Sequence, residues 1–209
     1  MKQFKFRIDR FQADQIFSPI RTKADVIMLW MNAIKIMLAY VPVSKEDTVG
    51  AMELIVAKMS RIFFATDDKV FSLNFPFFVS NDGGELAFSM LSCPSVDNKV
   101  TSDILSLLHT DDVFAETHVL DFAEPINDLC DTDNSIWGLF RDLMLSEEGY
   151  IRYEHDPKLE NDHFHPLDHL DIFYSNASTF KVGCKQRISL GDLTDILNRK
   201  TVCHYIIRT

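Results

Sequence analysis

The sequence predicts an α+β protein, with N-terminal helices packed on a mainly antiparallel sheet and a helix near the C-terminus. Three observations predict it. Residues 22–40 place apolar side chains at helical spacing. Residues 69–79, 86–92, 150–155 and 169–174 change to the shorter period of strands. Helical patterns come first and strands later, without regular βαβ alternation. The chain reads as a single domain over residues 1–209, helical over 1–66 and mixed strand and helix over 67–209.

The first helix spans 22–40. Thr22 caps it, Asp25 lies in its first turn, and Pro42 stops it. Val26, Leu29, Ala33 and Ile36 form the inner face, and Ile27, Trp30, Ile34 and Met37 widen it. So few polar residues interrupt this pattern that the helix is expected at the centre of the fold or against a partner. A second helix is expected over 44–65. Ser44 and Asp47 resemble a capping box, and Met52, Ile55, Val56, Met59, Ile62 and Phe63 recur at three and four residues. Strands at 69–79 and 86–92 flank a turn at Asn81–Gly84, and Pro76 marks an edge or bulge. Short helices are expected at 101–108 and 135–145, the latter with Trp137, Phe140, Leu143 and Met144 inward. Strands follow at 150–155, 169–174 and 180–184. A helix over 190–199 is capped by Ser189, and residues 203–207 suggest an edge strand.

The chain has 209 residues, 46% of them hydrophobic, enough for a real core. Its net charge of −10 repels a phosphate backbone and excludes loose coating of nucleic acid, which is expected only through a local basic patch. The four cysteines form no CxxC pair and read as reduced, mostly buried thiols. The start carries scattered charges and no secretory pattern. No stretch is long and apolar enough to span a membrane, so the expected location is cytoplasmic. No nucleotide-binding glycine motif is present.

Residues 109–133 hold eight acidic residues and no Lys or Arg, interleaved with apolar ones. Asp111, Asp112, Glu116 and Asp121 suit a solvated negative face, a docking surface for a basic protein or a divalent cation, but not an EF-hand.

The chemistry-bearing segment is RYEHDPKLENDHFHPLDHLDIFY, residues 152–174, with four of the seven histidines. Alternation along a strand puts Arg152, Glu154 and Asp156 on one face, and His169 and Asp171 on one face of the next. Side by side, the two strands bring Glu154 or Asp156 near His169 and Asp171, with His165 before the second strand aimed inward by Pro166. Arg152, Glu154, Asp156, His165, His169 and Asp171 are the candidate catalytic set. Asp156, His165, His169 and Asp171 are the candidate ligands for Mg²⁺, Mn²⁺ or Zn²⁺, although no cofactor is required by any motif. Lys185 and Arg187, with Lys181, form the candidate phosphate-binding patch or, alternatively, a charged edge. A metal-free anion site using Arg152, His165 and His169 is a further reading, as is an ordinary solvated loop and strand. Cys184 alternates with Val182 and Phe180 and reads as a structural thiol.

Three pieces, Arg152-Tyr153-Glu154-His155-Asp156, His165-Pro166-Leu167-Asp168-His169 and Arg187-Ile188-Ser189, resemble an uncharacterised bacterial family with an HPxxH motif. The resemblance covers the C-terminal third. It departs where Asp171 stands in place of a further His. Members occur near mobile-element or defence loci, which implies a defence-associated protein but carries no activity. Two functions are therefore expected. One is a non-catalytic subunit or regulator of a bacterial defence or mobile-element system, acting through another protein subunit or self-association. The alternative is a metal-dependent phosphodiester or nucleotide hydrolase using the cluster at 152–171.

Overall fold

A computed structural model describes residues 2–58, 60–109, 134–175, 178–198 and 200–204. The expected α+β architecture is present. Strands β1 (Lys2–Ile8), β2 (Gly50–Val56), β3 (Arg61–Ala65), β4 (Lys69–Asn74), β7 (Ile151–His155), β8 (Asp168–Ser175) and β9 (Ser178–Gly183) form one sheet in the order β1-β2-β3-β4-β7-β8-β9. Every neighbouring pair is antiparallel. Strands β5 (Phe78–Asp82) and β6 (Glu85–Ser89) form a separate hairpin. Helices α1 (Arg10–Ile16), α2 (Lys23–Leu38), α3 (Asn98–His109) and α4 (Asn134–Leu145) contribute to one large core. Helix α5 (Leu190–Ile196) contributes Leu193 to a smaller core on the other face of the sheet.

Helix α2 follows from its sequence. Thr22 and Asp25 form a capping box, and nine of its sixteen residues are buried. Trp30 is fully buried, and its indole N–H donates to the Asn74 carbonyl at 2.9 Å. The amphipathic stripe is too wide for one partner, so α2 is the central helix, touching α1, α3, α4 and β6.

The expected helix over 44–65 is corrected to the β2–β3 hairpin, and the N-terminal part is not purely helical. Both strands are covered on two sides. Met52, Leu54, Ile62 and Phe64 enter the large core, while Ile55 and Phe63 enter the small one. Burial on both faces erases the alternation that marks a half-exposed strand, and the remaining apolar run imitates helical spacing. The Ser44–Asp47 contact does form, Oγ to Oδ2 at 2.7 Å, but it closes a turn before β2. Residues 2–8, whose pattern raises no strand expectation, form edge strand β1, with Phe6 and Ile8 inward and Lys5 and Arg7 outward. Helix α1, likewise not anticipated, begins at a capping box of Asp9 and Gln12.

The expected strand over 69–79 divides at Pro76 into β4 and β5. The hairpin turns on Gly83 and Gly84, both at positive φ, as a two-residue turn requires. Trp137 faces outward at 42% exposure rather than inward, whereas Phe140 and Leu143 are buried as expected. Cys93 is buried, Cys184 is half-buried against the small core and Cys203 is exposed. The acidic segment and its Asp111, Asp112, Glu116 and Asp121, Cys130 and residues 205–207 of the expected edge strand lie outside the described residues; Cys203 and His204 are not in a strand.

The entry into β7 is held tightly. Gly149 has φ of 53°, and a Cβ there would meet the Asn74 amide at 2.8 Å. Arg61 reaches the Gly149 carbonyl at 2.5 Å and the Asn74 Oδ1 at 2.7 Å. Burial lowers the Arg61 pKa to about 10. This latch sets where β7 starts against β4, and so sets the position of the charged residues beyond it.

Candidate functional site

The register of β4, β7, β8 and β9 builds the site as two rows on one face of the sheet. Phe71, Arg152, Asp171 and Lys181 are successive cross-strand partners, and Lys69, Glu154, His169 and Gly183 form the next row. The same face continues into aromatic packing, where Tyr150 stacks on Phe173 at 4.4 Å and crosses Phe71 at 6.0 Å. The charged rows are therefore the polar continuation of the large core's sheet surface.

Asp171 and His169 form the floor, at 2% and 0% exposure. Asp171 accepts from Arg152 at 2.5 Å and from Lys181 at 2.7 Å. Burial opposes its ionisation, but the hydrogen bonds from Lys181 and Arg152 outweigh that effect and hold its carboxyl below the ordinary range. Glu154 pairs with Arg152 and with Lys69, each at 3.3 Å. The Arg152 guanidinium also lies over the Phe173 ring, 5.6 Å from its centroid. Burial pushes the neighbouring Tyr150 hydroxyl up to about 12.

The tautomer of His169 follows from its partners. Nδ1 lies 2.8 Å from the Pro166 carbonyl, which can only accept, so Nδ1 carries a proton. Nε2 lies 3.0 Å from the Lys181 ammonium, which can only donate, so Nε2 presents its lone pair. A metal-binding imidazole uses the same arrangement, with its second nitrogen donating to a carbonyl. One ligand atom each from Glu154, His169 and Asp171 lies within 4.8 Å of the others. One nitrogen and two carboxylates suit Mn²⁺, Fe²⁺ or Zn²⁺ better than an all-oxygen ion such as Ca²⁺.

The structure thus brings Arg152, Glu154, His169 and Asp171 together as the alternation predicts, but the triad contains Glu154 instead of Asp156 and His165. Strand β7 ends at His155, so Asp156 belongs to the loop, where it accepts the N–H groups of Lys158 and Leu159. His165 stands 4.0 Å from Asp156, its ring 4.4 Å from that of His169. Its Nδ1 is buried with no hydrogen-bond partner.

The expected phosphate patch separates. Arg187 pairs with Asp68 at 3.4 Å, and its charge acts on Tyr153 and Asp168 of the opposite face. Lys185 is exposed in the bend after β9. Lys181, two residues before Gly183 on the same strand face, is the member that reaches the triad. On the opposite face, Asp168 accepts from Tyr153 at 2.5 Å and pairs with His155 at 2.9 Å. Sequence reasoning missed this contact, although the register that joins Glu154 to His169 also sets His155 against Asp168.

An open groove of about 830 Å³ lies elsewhere, among α1, α2 and α3, and none of the triad lines it. Among the described residues no helix is long and apolar enough to cross a membrane.

Fold and site together define a class: an α+β protein whose seven-stranded antiparallel sheet carries an ion-paired His/carboxylate cluster. No protein-family model matches the chain, and no curated protein or solved structure matches it either.

Proposed function

We propose that the protein is a metal-dependent phosphodiester or nucleotide hydrolase centred on Glu154, His169 and Asp171. The observation that carries this reading is the convergence of the three ligand atoms within 4.8 Å beside three cationic side chains. A divalent ion held there supplies a polarised phosphoryl oxygen and an acidified water. Arg152 keeps Nε and Nη2 on Glu154 and Asp171 and offers its remaining N–H groups to a phosphate oxygen. Lys69 and Lys181 add positive charge at the rim, which compensates for the acidic protein as a whole. In this reading His165, its ring 4.4 Å from that of His169, packs behind the metal ligand.

The test is metal content of protein purified without a tag or chelator, together with hydrolysis of bis(4-nitrophenyl) phosphate in Mn²⁺. We expect about one ion per chain, with His169→Ala and Glu154→Gln lowering turnover by about 100-fold or more. A folded wild-type protein with neither bound metal nor hydrolysis after Mn²⁺ and Zn²⁺ loading removes this function.

A second reading has its own observation. Phe78, Leu91 and Leu145 are 58%, 91% and 77% exposed, and with Pro76 and Met90 they line one shallow depression. An apolar patch of this kind suits a protein contact. The cytosolic regulator or subunit role in bacterial defence, drawn from the HPxxH resemblance, would act through it by self-association or another subunit. Sedimentation velocity at rising concentration checks the self-association form: Leu91→Asp should dissociate the oligomer. A wild-type monomer throughout the range ends that form.

A further inference from the structure

Deepening the metal-site reading, and resting on it, we propose that the Lys181 ammonium is the metal-free occupant of the triad. It and a divalent cation exclude one another, and the cation's arrival hands Lys181 to the substrate phosphate.

The position of Nζ supports this directly. It lies 2.7 Å from Asp171 Oδ1 and 3.0 Å from His169 Nε2, so it already uses two of the three groups a metal would need. The His169 lone pair points at Lys181 because Pro166 holds the opposite nitrogen. A metal ion needs that same lone pair, so both cations cannot use it together.

The neighbours explain why Lys181 is the side chain that moves. Arg152 is held by Asp171, by Glu154 and against the Phe173 ring. Lys181 is on edge strand β9, its side chain 31% exposed against 23% for Arg152. Its ammonium ends a flexible stem and is readily hydrated, so withdrawal from the triad costs little beyond the two contacts it gives up.

The charge balance of the site then couples the metal to its substrate. Among the described residues, Lys69, Arg152 and Lys181 pair with Glu154 and Asp171, three cations to two carboxylates, so this cluster is slightly positive before any ion binds. A divalent cation leaves a surplus of positive charge that an anion relieves. A phosphate group satisfies the displaced Lys181, Arg152 and the metal at once. Cation and phosphate therefore strengthen each other's binding, and the coupling is reciprocal. The substrate class is one with an accessible phosphate oxyanion, not a neutral ester.

The experiment measures Mn²⁺ affinity for wild type and Lys181→Met, with and without inorganic phosphate. Lys181→Met should bind Mn²⁺ about tenfold tighter without phosphate, because the competitor is gone. Phosphate should tighten Mn²⁺ binding in the wild type and do so much less in the variant. Lys181→Gln supplies the same comparison if the Met protein does not fold. Equal Mn²⁺ affinity in wild type and variant overturns the exchange while leaving the metal site in place. No Mn²⁺ binding in either removes the metal site itself.

Discussion

Replacing Asp171 by Ala lowers the free energy of unfolding by about 2–4 kcal/mol at neutral pH, because it strands two cations beside a buried floor. Arg152 and Lys181 both donate to this carboxylate, whose side chain is only 3% exposed. Deleting a fully buried partner costs about 3–5 kcal/mol. The lower range applies here because Arg152 and Lys181 can turn partly toward water, at 23% and 31% side-chain exposure. Urea unfolding measures the difference, and a loss below about 1 kcal/mol would show that the network adds little to the fold. The pH dependence has a definite sign. The folded carboxyl is depressed, so its contribution is present above its unfolded value near 3.9 and is lost as pH falls through the lower folded value. Asp171→Asn keeps the shape and removes that charge. Its stability should therefore fall less steeply than wild type on acidification below the unfolded value.

Trp30→Ala is expected to cost about 3–5 kcal/mol, the usual range for removing a large aromatic from a core. Trp30 is fully buried at the centre of α2, its ring edge-on to Phe77 at 6.3 Å, with the Lys23 ammonium 5.2 Å from its centroid. Truncation also removes the donor to the Asn74 carbonyl, and Asn74 belongs to the latch that sets the start of β7. The stability loss should accordingly be accompanied by weaker metal binding at a site not in contact with Trp30. Trp137→Ala is the internal comparison. At 42% exposure it should cost about 1 kcal/mol or less. Equal losses for the two tryptophans would contradict the assignment of α2 as the central helix.

The local features of the sequence were legible where one face of an element meets water. Helix α2 announces its cap at Thr22 and its apolar stripe, and Asn81 to Gly84 announces a turn. Arg152, Glu154, His169 and Asp171 fall on shared strand faces by simple alternation. Residues 50–65 were illegible as strands because Ile55 and Phe63 are buried behind the sheet while Met52 and Phe64 are buried in front of it. With both sides covered, the polar residues in these strands are the buried Glu53 of β2 and Arg61 at the start of β3, too few to report the period of two.

Which carboxylate joins the histidine is a matter of register. Alternation allowed Glu154 or Asp156 equally. The pairing of Glu154 with His169 depends on where β7 begins, which the contacts of Arg61 and Asn74 with the 147–149 turn decide from far away in the chain. Lys181 entered the site for the same reason. Its sequence neighbours suggested a basic patch with Lys185 and Arg187, yet β9 pairs it with Asp171 and sends Arg187 to the other face. By itself the sequence determined the fold class, the capped central helix and the charged sides of β7 and β8, because these depend on residues a few positions apart. The tertiary structure alone decided the seven-strand order, the Glu154–His169–Asp171 grouping and the contacts of Lys181 with His169 and Asp171, because these depend on cross-strand register between segments that no local periodicity encodes.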